Sequence, residues 1–388
     1  MAVHMRYILL LILLALFPTG GCETDRGKEK IITPSGRIVR IGVIAPMTGP
    51  DYPKGQDGLR GIQTILHNRP FLNNGDKIEI LVEDDKNQAD LSVKAFQKLV
   101  EKDKVAAVIV LSPSKFVLGI NKIVDQYGTP VLVTIASHPE IALNTRYMNQ
   151  ICIDNNFQGK VAALYARDEL LITRAAVFED SSNEHSVSLA GVFKEQFSKL
   201  DGKIGNPLGS SMKKAEVKEQ LLSLKKEEVE MLYLPLDAKQ FIFISKILTE
   251  ISWNPVRMGS DGLLSTVMAK HIQDRKLMNN IIGIDFYNTD TSRYLFGRTL
   301  VKNYLLLFKQ KANTYTVASA EGFTILLNAM NKCKLSGNRE QINEQIRKTD
   351  KFTGFIGKIT IRPNGKAQRA LIVNTITEDG LEFLVRVH

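Results

Sequence analysis

The hydrophobic positions of this chain alternate between short apolar runs and longer stretches with helical spacing. Ile38 to Ala45 (IVRIGVIA) is typical of a buried strand, and Gly55 to His67 then carries apolar residues three and four positions apart. The same alternation repeats as far as Ile135 and resumes at Ala175. This pattern predicts an α/β fold in which crossover helices connect the strands of parallel sheets.

The number of predicted strands favours two lobes, because a single twisted sheet seldom holds so many. Tyr147 to Asp154 (YMNQICID) is an extended stretch between a loop and a new helix, and we interpret it as a crossing between lobes. The first predicted lobe comprises residues 37–152 and 286–353, and the second comprises residues 155–283 and 357–388. The hinge between these two Rossmann-like lobes is expected at three segments, near Ile153, Asp285 and Phe355.

The start of the chain has the organisation of an export signal. Arg6 precedes an apolar run from Tyr7 to Phe17, which is too short to span a bilayer, and small residues then lead to Cys22. We therefore predict a signal peptide at residues 1–21 and a polar tether at residues 22–36. The Gly-Gly-Cys ending resembles the lipobox of bacterial lipoproteins, which implies a lipid on Cys22, although Thr19 departs from that motif. Cleavage that leaves Cys22 unmodified is the alternative.

Composition and charge narrow the class of protein. The chain has 388 residues, of which 24% are charged and 44% hydrophobic, as expected of a globular protein. A net charge of +10 would suit a nucleic-acid partner, but an exported protein rarely meets nucleic acid, so none is expected. Three cysteines exclude a disulfide-stapled scaffold. Export permits a bond between Cys152 and Cys333, but we favour buried free thiols.

Catalytic and cofactor motifs are missing from the sequence. It contains none of the motifs G-x-S-x-G, H-E-x-x-H, G-x-x-x-x-G-K-[ST] or G-x-G-x-x-G. No two histidines lie four positions apart, and the acidic run Glu83-Asp84-Asp85 is more typical of a solvated turn than of a metal site. We therefore expect neither an enzyme, nor a metal site, nor a cofactor.

The loops that follow the predicted strands carry the candidate binding chemistry. Ser112 and Ser114 follow one strand, and Ala136 and Ser137 follow the next. Open α/β sheets bind ligands at these carboxyl ends, and a helix that begins there offers unpaired N–H groups to a carboxylate. Asp261 follows a strand of the second predicted lobe. Helix capping by each serine, or a tight turn at Asp261, is the alternative interpretation.

Several motifs in sequence order resemble one known family. They are IGVIAPMTGP at 41–50 with Gly55, ILVEDD at 80–85, Gly128-Thr-Pro130 through Glu140, Gln158-Gly159, Gly259-x-Asp261-Gly262, and Gly354-x-x-Gly-x-Ile359 with Asn364-Gly365. From about Arg37 to His388 the chain resembles the type I periplasmic binding proteins of the leucine/isoleucine/valine-binding family. Those proteins are the solute receptors of amino-acid and amide ABC importers.

The resemblance implies a role for each candidate residue. A ligand α-carboxylate would rest on the loop at Ser114 and on Ser137, and the α-ammonium would meet the backbone near Ala136 and the carboxylate of Asp261. Three positions depart from the family pattern: Lys54 and His185 stand where aromatic residues are usual, and Asp237 lies in a loop that has lost its aromatic residue. These departures favour a ligand more polar than leucine. A solvated surface lysine is the alternative for Lys54.

The sequence thus predicts a monomeric, lipid-anchored protein of the cell envelope. The expected partners are a small amino-acid-like solute and the membrane permease, with its ATPase, of an ABC importer. The alternative hypothesis is an envelope regulatory or sensory protein with the same fold that recognises a protein partner. A hydrolase is the third hypothesis, and it would require turnover that Ser114→Ala abolishes.

Overall fold

The computed structural model describes residues 32–206, 213–264, 277, 279–287, 294–377 and 380–388. The predicted signal peptide and Cys22 therefore lie outside the described residues. Two large sheets organise the described chain, and we refer to the first lobe and the second lobe by the sheet that each contains.

The first lobe is built on a parallel sheet with the strand order β2-β1-β3-β4-β5. Its strands are β1 (Ile38–Ala45), β2 (Lys77–Asp84), β3 (Ala107–Val110), β4 (Val131–Val133) and β5 (Met148–Gln150). β3 and β4 are wholly buried, as continuous apolar runs in a sheet covered on both faces should be.

The second lobe contains a sheet with the order β15-β14-β10-β9-β8-β6-β7. Its strands are β6 (Arg174–Val177), β7 (Lys203–Ile204), β8 (Met231–Leu234), β9 (Val256–Gly259), β10 (Ile281–Asp285), β14 (Leu371–Thr377) and β15 (Gly380–Val387). β6 to β10 pair in parallel, whereas β14 and β15 join antiparallel at the edge beside β10. Alternate residues of β8 enter different cores, Met231 and Tyr233 on one face and Leu232 and Leu234 on the other.

Helices cover both faces of these sheets. They are α1 (Tyr52–Asn68), α2 (Ala89–Glu101), α3 (Ser114–Asn121), α4 (Val124–Tyr127), α5 (Asn155–Leu164), α6 (Glu184–Lys199), α7 (Lys214–Lys226), α8 (Ala238–Glu250), α9 (Leu295–Phe308), α10 (Thr314–Met330) and α11 (Arg339–Arg347). A π-helical turn, Tyr165–Glu169, extends α5. Within the described ranges, no helix combines the length and the apolar character needed to cross a bilayer.

A stripe of glycines brings α1 against α10. Gly55, Gly58 and Gly61 recur every third residue and lie buried on one face of α1. A Cβ at Gly58 would lie 2.8 Å from the Ser319 hydroxyl, and one at Gly61 would overlap the Thr316 carbonyl. Only glycine allows the two helices to approach this closely. The first turns of α1 and α10 are thereby placed side by side at the edge of the first lobe.

The packing of the chain changes at the predicted first crossing. Ile151 packs in the core around the first sheet, whereas Cys152 and Ile153 pack in a core that contains residues of β6, β8 and β10 together with Val317 and Ala320 of α10. Tyr147–Asp154 is only partly a crossing strand, because its first half is β5, the edge strand of the first sheet. Cys152 and Cys333 are free thiols.

The last crossing is less simple than the sequence suggested. A small antiparallel sheet of β11 (Phe352–Thr353), β12 (Lys358–Ile361) and β13 (Ala367–Gln368) occupies this region. Phe355 and Ile356 already pack in the core that contains β10 and β14, Ile359 and Ile361 of β12 pack in the core around the first sheet, and Ala370 returns to the former core. The chain therefore passes between these two cores more than once near the boundary expected at residue 357.

A buried ion pair stands where the crossings meet. The Glu321 carboxylate of α10 accepts from Arg369 Nη2 at 2.7 Å and from the Phe355 backbone N–H at 2.6 Å, and both charged side chains are almost completely buried. The Arg369 guanidinium also lies 4.5 Å from the centre of the Phe286 ring and within 3.5 Å of the Ile151 carbonyl. One charged pair thus contacts all three predicted hinge segments.

We expect Glu321→Ala to lower the free energy of unfolding by about 3–5 kcal/mol, because it leaves the Arg369 charge buried without its partner. Chemical denaturation measures the loss. Glu340→Ala is a matched control, since Glu340 pairs with Arg146 at 2.6 Å with both side chains about 60% exposed, and its removal should cost less than about 1 kcal/mol. Equal, small losses in the two variants would contradict the role of the Glu321 pair.

Candidate functional site

The candidate site lies between the lobes, where the carboxyl ends of strands in both sheets face each other. β3 and β4 of the first sheet end before Ser112 and Ser137, and β9 of the second sheet ends before Ser260 and Asp261. This is the position at which open α/β sheets bind ligands.

The two serines after β3 have different partners. Ser112 is wholly buried and donates its hydroxyl to the Asp85 carboxylate, which also accepts from Ser92 Oγ at 2.9 Å. Ser114 begins α3, and its Oγ accepts the His138 backbone N–H at 3.3 Å. Ser112 is therefore committed to holding the ends of β2 and β3 together, whereas Ser114 orders the loop that carries Ser137.

Hydrogen bonds from neighbouring segments hold the loop after β4 in place. The Ala136 carbonyl accepts from Gln150 Nε2 at 3.1 Å, and the Ser137 carbonyl accepts from the Asn155 backbone N–H at 2.9 Å. These contacts tie the loop to β5 and to the start of α5. The backbone of Ala136 is thus ordered by the residues of the first crossing.

A histidine bridges the two lobes. Ser137 Oγ lies 2.9 Å from Nδ1 of His185, the second residue of α6, and the His185 Nε2 lies 3.4 Å from Ser260 Oγ and 3.6 Å from Asp261 Oδ1. One imidazole therefore connects the hydroxyl of the first lobe to the carboxylate of the second. The two groups predicted to bind the opposite charges of an amino acid lie on the two sides of one ring.

The bridging imidazole is neutral at ordinary pH. Burial lowers the pKa of His185, and the charge of Lys54 lowers it further, whereas the Asp261 carboxylate opposes both. A neutral imidazole has one donor and one acceptor nitrogen. Because the Asp261 carboxylate can only accept a hydrogen bond, we assign the proton to Nε2, which leaves Nδ1 to accept from Ser137 Oγ.

Asp261 is oriented by a glutamine that the sequence analysis did not treat as a site residue. Gln158 of α5 donates from Nε2 to Asp261 Oδ1 at 2.7 Å, and its Oε1 accepts the Asp261 backbone N–H at 2.8 Å. This two-point contact fixes both the loop and the carboxylate. Gln158-Gly159 had appeared only as one of the motifs of the family resemblance.

Lys54 lies at the rim of the site. Its Nζ contacts Asp51 Oδ1 at 2.8 Å and lies 6.0 Å from the ring centre of Tyr315, the second residue of α10. Burial disfavours the charged ammonium, but Tyr315 and Asp51 outweigh it and raise the pKa of Lys54, and the more distant Asp237 adds to this effect. Lys54 therefore carries a positive charge at the site and is one-third exposed.

Asp237 acts in the structure as a helix cap. Its carboxylate accepts the Gln240 backbone N–H at 2.8 Å, and Gln240 Oε1 accepts the Asp237 backbone N–H at 3.2 Å, which is a complete capping box. Its side chain is exposed. The same spacing, Asp followed three residues later by Gln, was readable in the sequence as a helix start.

Asp285, which is buried, and Tyr315, which is partly buried, are site groups that sequence reasoning missed. Gly262 adopts φ +75°, and a Cβ there would overlap the Tyr315 hydroxyl. Asp285, at the end of β10, accepts from Thr314 Oγ1 at 2.9 Å, from the Phe286 N–H at 2.7 Å and from the Gly262 N–H at 3.3 Å. Burial, together with the nearby charge of Asp261, raises the pKa of Asp285 to about 7.

A family model described as periplasmic binding protein matches residues 38–380. The chain belongs to this family. Its membership confirms the resemblance drawn from the motifs and implies an extracytoplasmic location.

Two relatives share part of the sequence. An amino acid binding protein of Pseudomonas aeruginosa is 27% identical over 165 residues, which cover 42% of this chain and 44% of that protein. The Leu/Ile/Val-binding protein BraC3 of Rhizobium johnstonii is 24% identical over 235 residues, covering 59% of this chain and 62% of BraC3. The matched segments span less than two thirds of either relative.

Solved structures agree with the fold over a longer range. A leucine binding protein LivK of Thermotoga maritima superposes with a TM-score of 0.82 at 23% identity, over 90% of this chain and 98% of that one. LivJ of Streptococcus pneumoniae, in complex with isoleucine, gives 0.77 at 17% identity, over 90% and 99%. The predicted α/β fold with parallel-sheet cores is thereby confirmed.

In this periplasmic binding protein we expect Asp285 to make stability depend on pH. Its pKa rises from 3.8 to about 7 on folding, so the folded state favours the protonated carboxyl. The contribution of this protonated carboxyl to the free energy of unfolding is complete below about pH 4 and is lost as the pH rises through 7. The free energy of unfolding changes by roughly 4 kcal/mol over this range. In Asp285→Asn this contribution disappears.

Unfolding free energies of wild type and Asp285→Asn between pH 4 and 8 test this expectation. The variant should gain stability relative to wild type as the pH rises, because it lacks the ionisation. All other titratable groups are the same in the two proteins, so their effects cancel when the unfolding free energy of one protein is subtracted from that of the other. Parallel curves would contradict the raised pKa.

Proposed function

We propose that this protein captures a small solute with an amino-acid head group between its lobes and passes it, without chemical conversion, to the permease of an ABC importer. The observation that carries the proposal is the row Ser137, His185 and Asp261, which joins the two lobes through one imidazole. The names of the relatives, an amino acid binding protein and a Leu/Ile/Val-binding protein, support the same class of solute.

The two sides of the row suit the two charges of an amino acid. On the first lobe, the Ser137 hydroxyl and the first turn of α3 offer donors to a carboxylate. On the second lobe, Asp261 is held by Gln158 and offers an acceptor to an ammonium group. Each hydrogen bond to a charged group contributes about 1.5–3 kcal/mol, so a few of them can hold the lobes together around the solute.

Lys54 and Tyr315 favour a polar side chain on the solute. The family resemblance implies an aromatic wall just before Gly55, and this chain has Lys54 there. The Lys54 ammonium contacts Asp51, and its charge reaches the imidazole of His185. A hydrocarbon side chain such as that of leucine would have to desolvate this charged pair, whereas a side chain with hydrogen-bonding groups would not.

A thermal-shift screen against the common amino acids and their amides identifies the solute, because a ligand that binds only the folded state raises the melting temperature. Calorimetry with that solute then compares wild type with Asp261→Asn. We expect the variant to lose about 2–5 kcal/mol of affinity, since a buried ammonium would be left without its counter-charge.

Asp237→Asn is the matched control, because asparagine caps a helix as well as aspartate does. Its affinity should equal that of wild type, and a loss would mean that Asp237 itself contacts the solute. Unchanged affinity in Asp261→Asn would remove Asp261 from the site. A screen without any shift, together with a co-purifying envelope protein, would contradict solute capture and favour the regulatory alternative.

We further propose that the exported protein is anchored through lipid on Cys22. The Gly-Gly-Cys ending supports lipidation, and the polar residues 22–36 would serve as the tether. Several acyl chains on one residue would hold the protein firmly, whereas a single chain binds membranes only marginally. As a lone receptor of the permease, the protein would act as a monomer.

Cys22→Ser should abolish incorporation of labelled palmitate in bacterial cells and move the protein from the membrane to the soluble fraction. Cys333→Ser is the control, because that thiol lies half-buried in the folded domain. Membrane association that survives Cys22→Ser would contradict the lipid anchor and leave signal cleavage with an unmodified cysteine.

A further inference from the structure

A cavity of about 200 Å³ lies in the second lobe at the end of its sheet that faces away from the cleft. Polar groups from α8, from the loop after it, from β9 and from the turn before β10 line it: Ser245, Thr249, Trp253, Asn254, Arg257 and Asn279. Arg257 stands near the start of β9, whereas Asp261 follows its end. At about 3.3 Å per strand residue, roughly 10 Å or more separates this cavity from the candidate site.

Arg257 is the most unusual residue of this cavity. Its side chain is among the largest that are fully buried, with 1% exposure. Nη1 donates to the Leu277 carbonyl at 2.8 Å, and Nη2 donates to the Asn279 carbonyl and, at 3.4 Å, to Asn254 Oδ1. All of these acceptors are neutral. Among the described residues no carboxylate forms an ion pair with Arg257.

Two buried polar groups at this cavity lack partners. Nε of Arg257 makes no hydrogen bond, and neither does the hydroxyl of Ser245, which is wholly buried. Proteins pair nearly all their buried polar groups, so two unpaired donors beside one cavity require an explanation. A buried charge without a counter-charge is also costly, and burial lowers the pKa of Arg257 to about 10.

The walls of the cavity indicate what kind of acceptor fits. Leu248 and the indole of Trp253 supply an apolar surface beside the donors Arg257 and Ser245. A bare inorganic anion would use the donors but would leave that surface uncovered. A carboxylate attached to a short hydrocarbon body matches both parts of the wall.

We propose that this cavity is a binding site for a small organic carboxylate, which Arg257 and Ser245 bind through its oxygens while Trp253 and Leu248 cover its hydrocarbon body. The site is separate from the cleft. Its occupation would stabilise the second lobe by binding the folded state alone.

The chain contains a single tryptophan, Trp253, which lines this cavity, so tryptophan fluorescence reports on the surroundings of the cavity. We would titrate the full-length protein with valerate and with cyclohexanecarboxylate. Three control probes accompany them. Valeramide lacks the negative charge, inorganic phosphate lacks the hydrocarbon body, and sodium chloride changes only the ionic strength. The expected result is a saturable change with the two carboxylates and not with the other three.

Arg257→Met should weaken the response by about tenfold or more, since it removes the charged donor. Ser245→Ala should weaken it several-fold, and it keeps the proposal testable if Arg257→Met does not fold. Arg40→Met, the same change at an exposed arginine of the first lobe, and Asp261→Asn in the cleft should both respond as wild type does.

Equal responses to valerate and valeramide would overturn the proposal, because the charge would then be irrelevant. So would saturation by phosphate alone, which would make the site one for inorganic anions. A saturable response that survives in both Arg257→Met and Ser245→Ala would overturn it as well, and so would the lack of any saturable response.

Discussion

The buried pair of Glu321 and Arg369 is the contact on which the arrangement of the two lobes depends. Arg369 contacts the backbone carbonyl of Ile151 and the ring of Phe286, and Glu321 accepts from the N–H of Phe355. Each of these three residues belongs to a different crossing. Removing one partner of such a pair costs far more than removing a surface pair, because the remaining charge cannot reach water. The crossings are therefore held by an interaction that cannot be exchanged for solvent.

The contact across the cleft is of the opposite kind. Ser137 and His185 form a neutral hydrogen bond, which contributes about 0.5–1.5 kcal/mol and can be exchanged for water or for a ligand group. A solute with a carboxylate and an ammonium would replace it with stronger, charge-assisted bonds. The fold thus combines a hinge that is charged and permanent with a cleft contact that is weak and replaceable. α10 connects the two, because it carries both Glu321 and Tyr315.

The sequence revealed the fold and one half of the candidate site. Alternating apolar runs and helical stretches fixed the α/β class, and Ser137 and Asp261 do lie on the two sides of one imidazole. Ser112 has a partner that local spacing cannot predict, a carboxylate 27 residues away, whereas the helix cap at Asp237 was readable from its spacing to Gln240. Gln158 was missed because its role depends on a loop 103 residues later, and pairing over such distances exists only once the lobes have formed.

Two acidic groups near the cleft finally set how charge is distributed in it. Asp285 is buried beside Asp261, so near pH 7 a large fraction of it is protonated and Asp261 carries most of the negative charge that faces His185. An ammonium that binds at Asp261 would offset the smaller of the two causes that raise the pKa of Asp285, whereas burial, the larger cause, would remain. The pKa of Asp285 would then fall, and part of its proton would be released. Binding of an ammonium group at Asp261 and binding of a proton at Asp285 would therefore oppose each other.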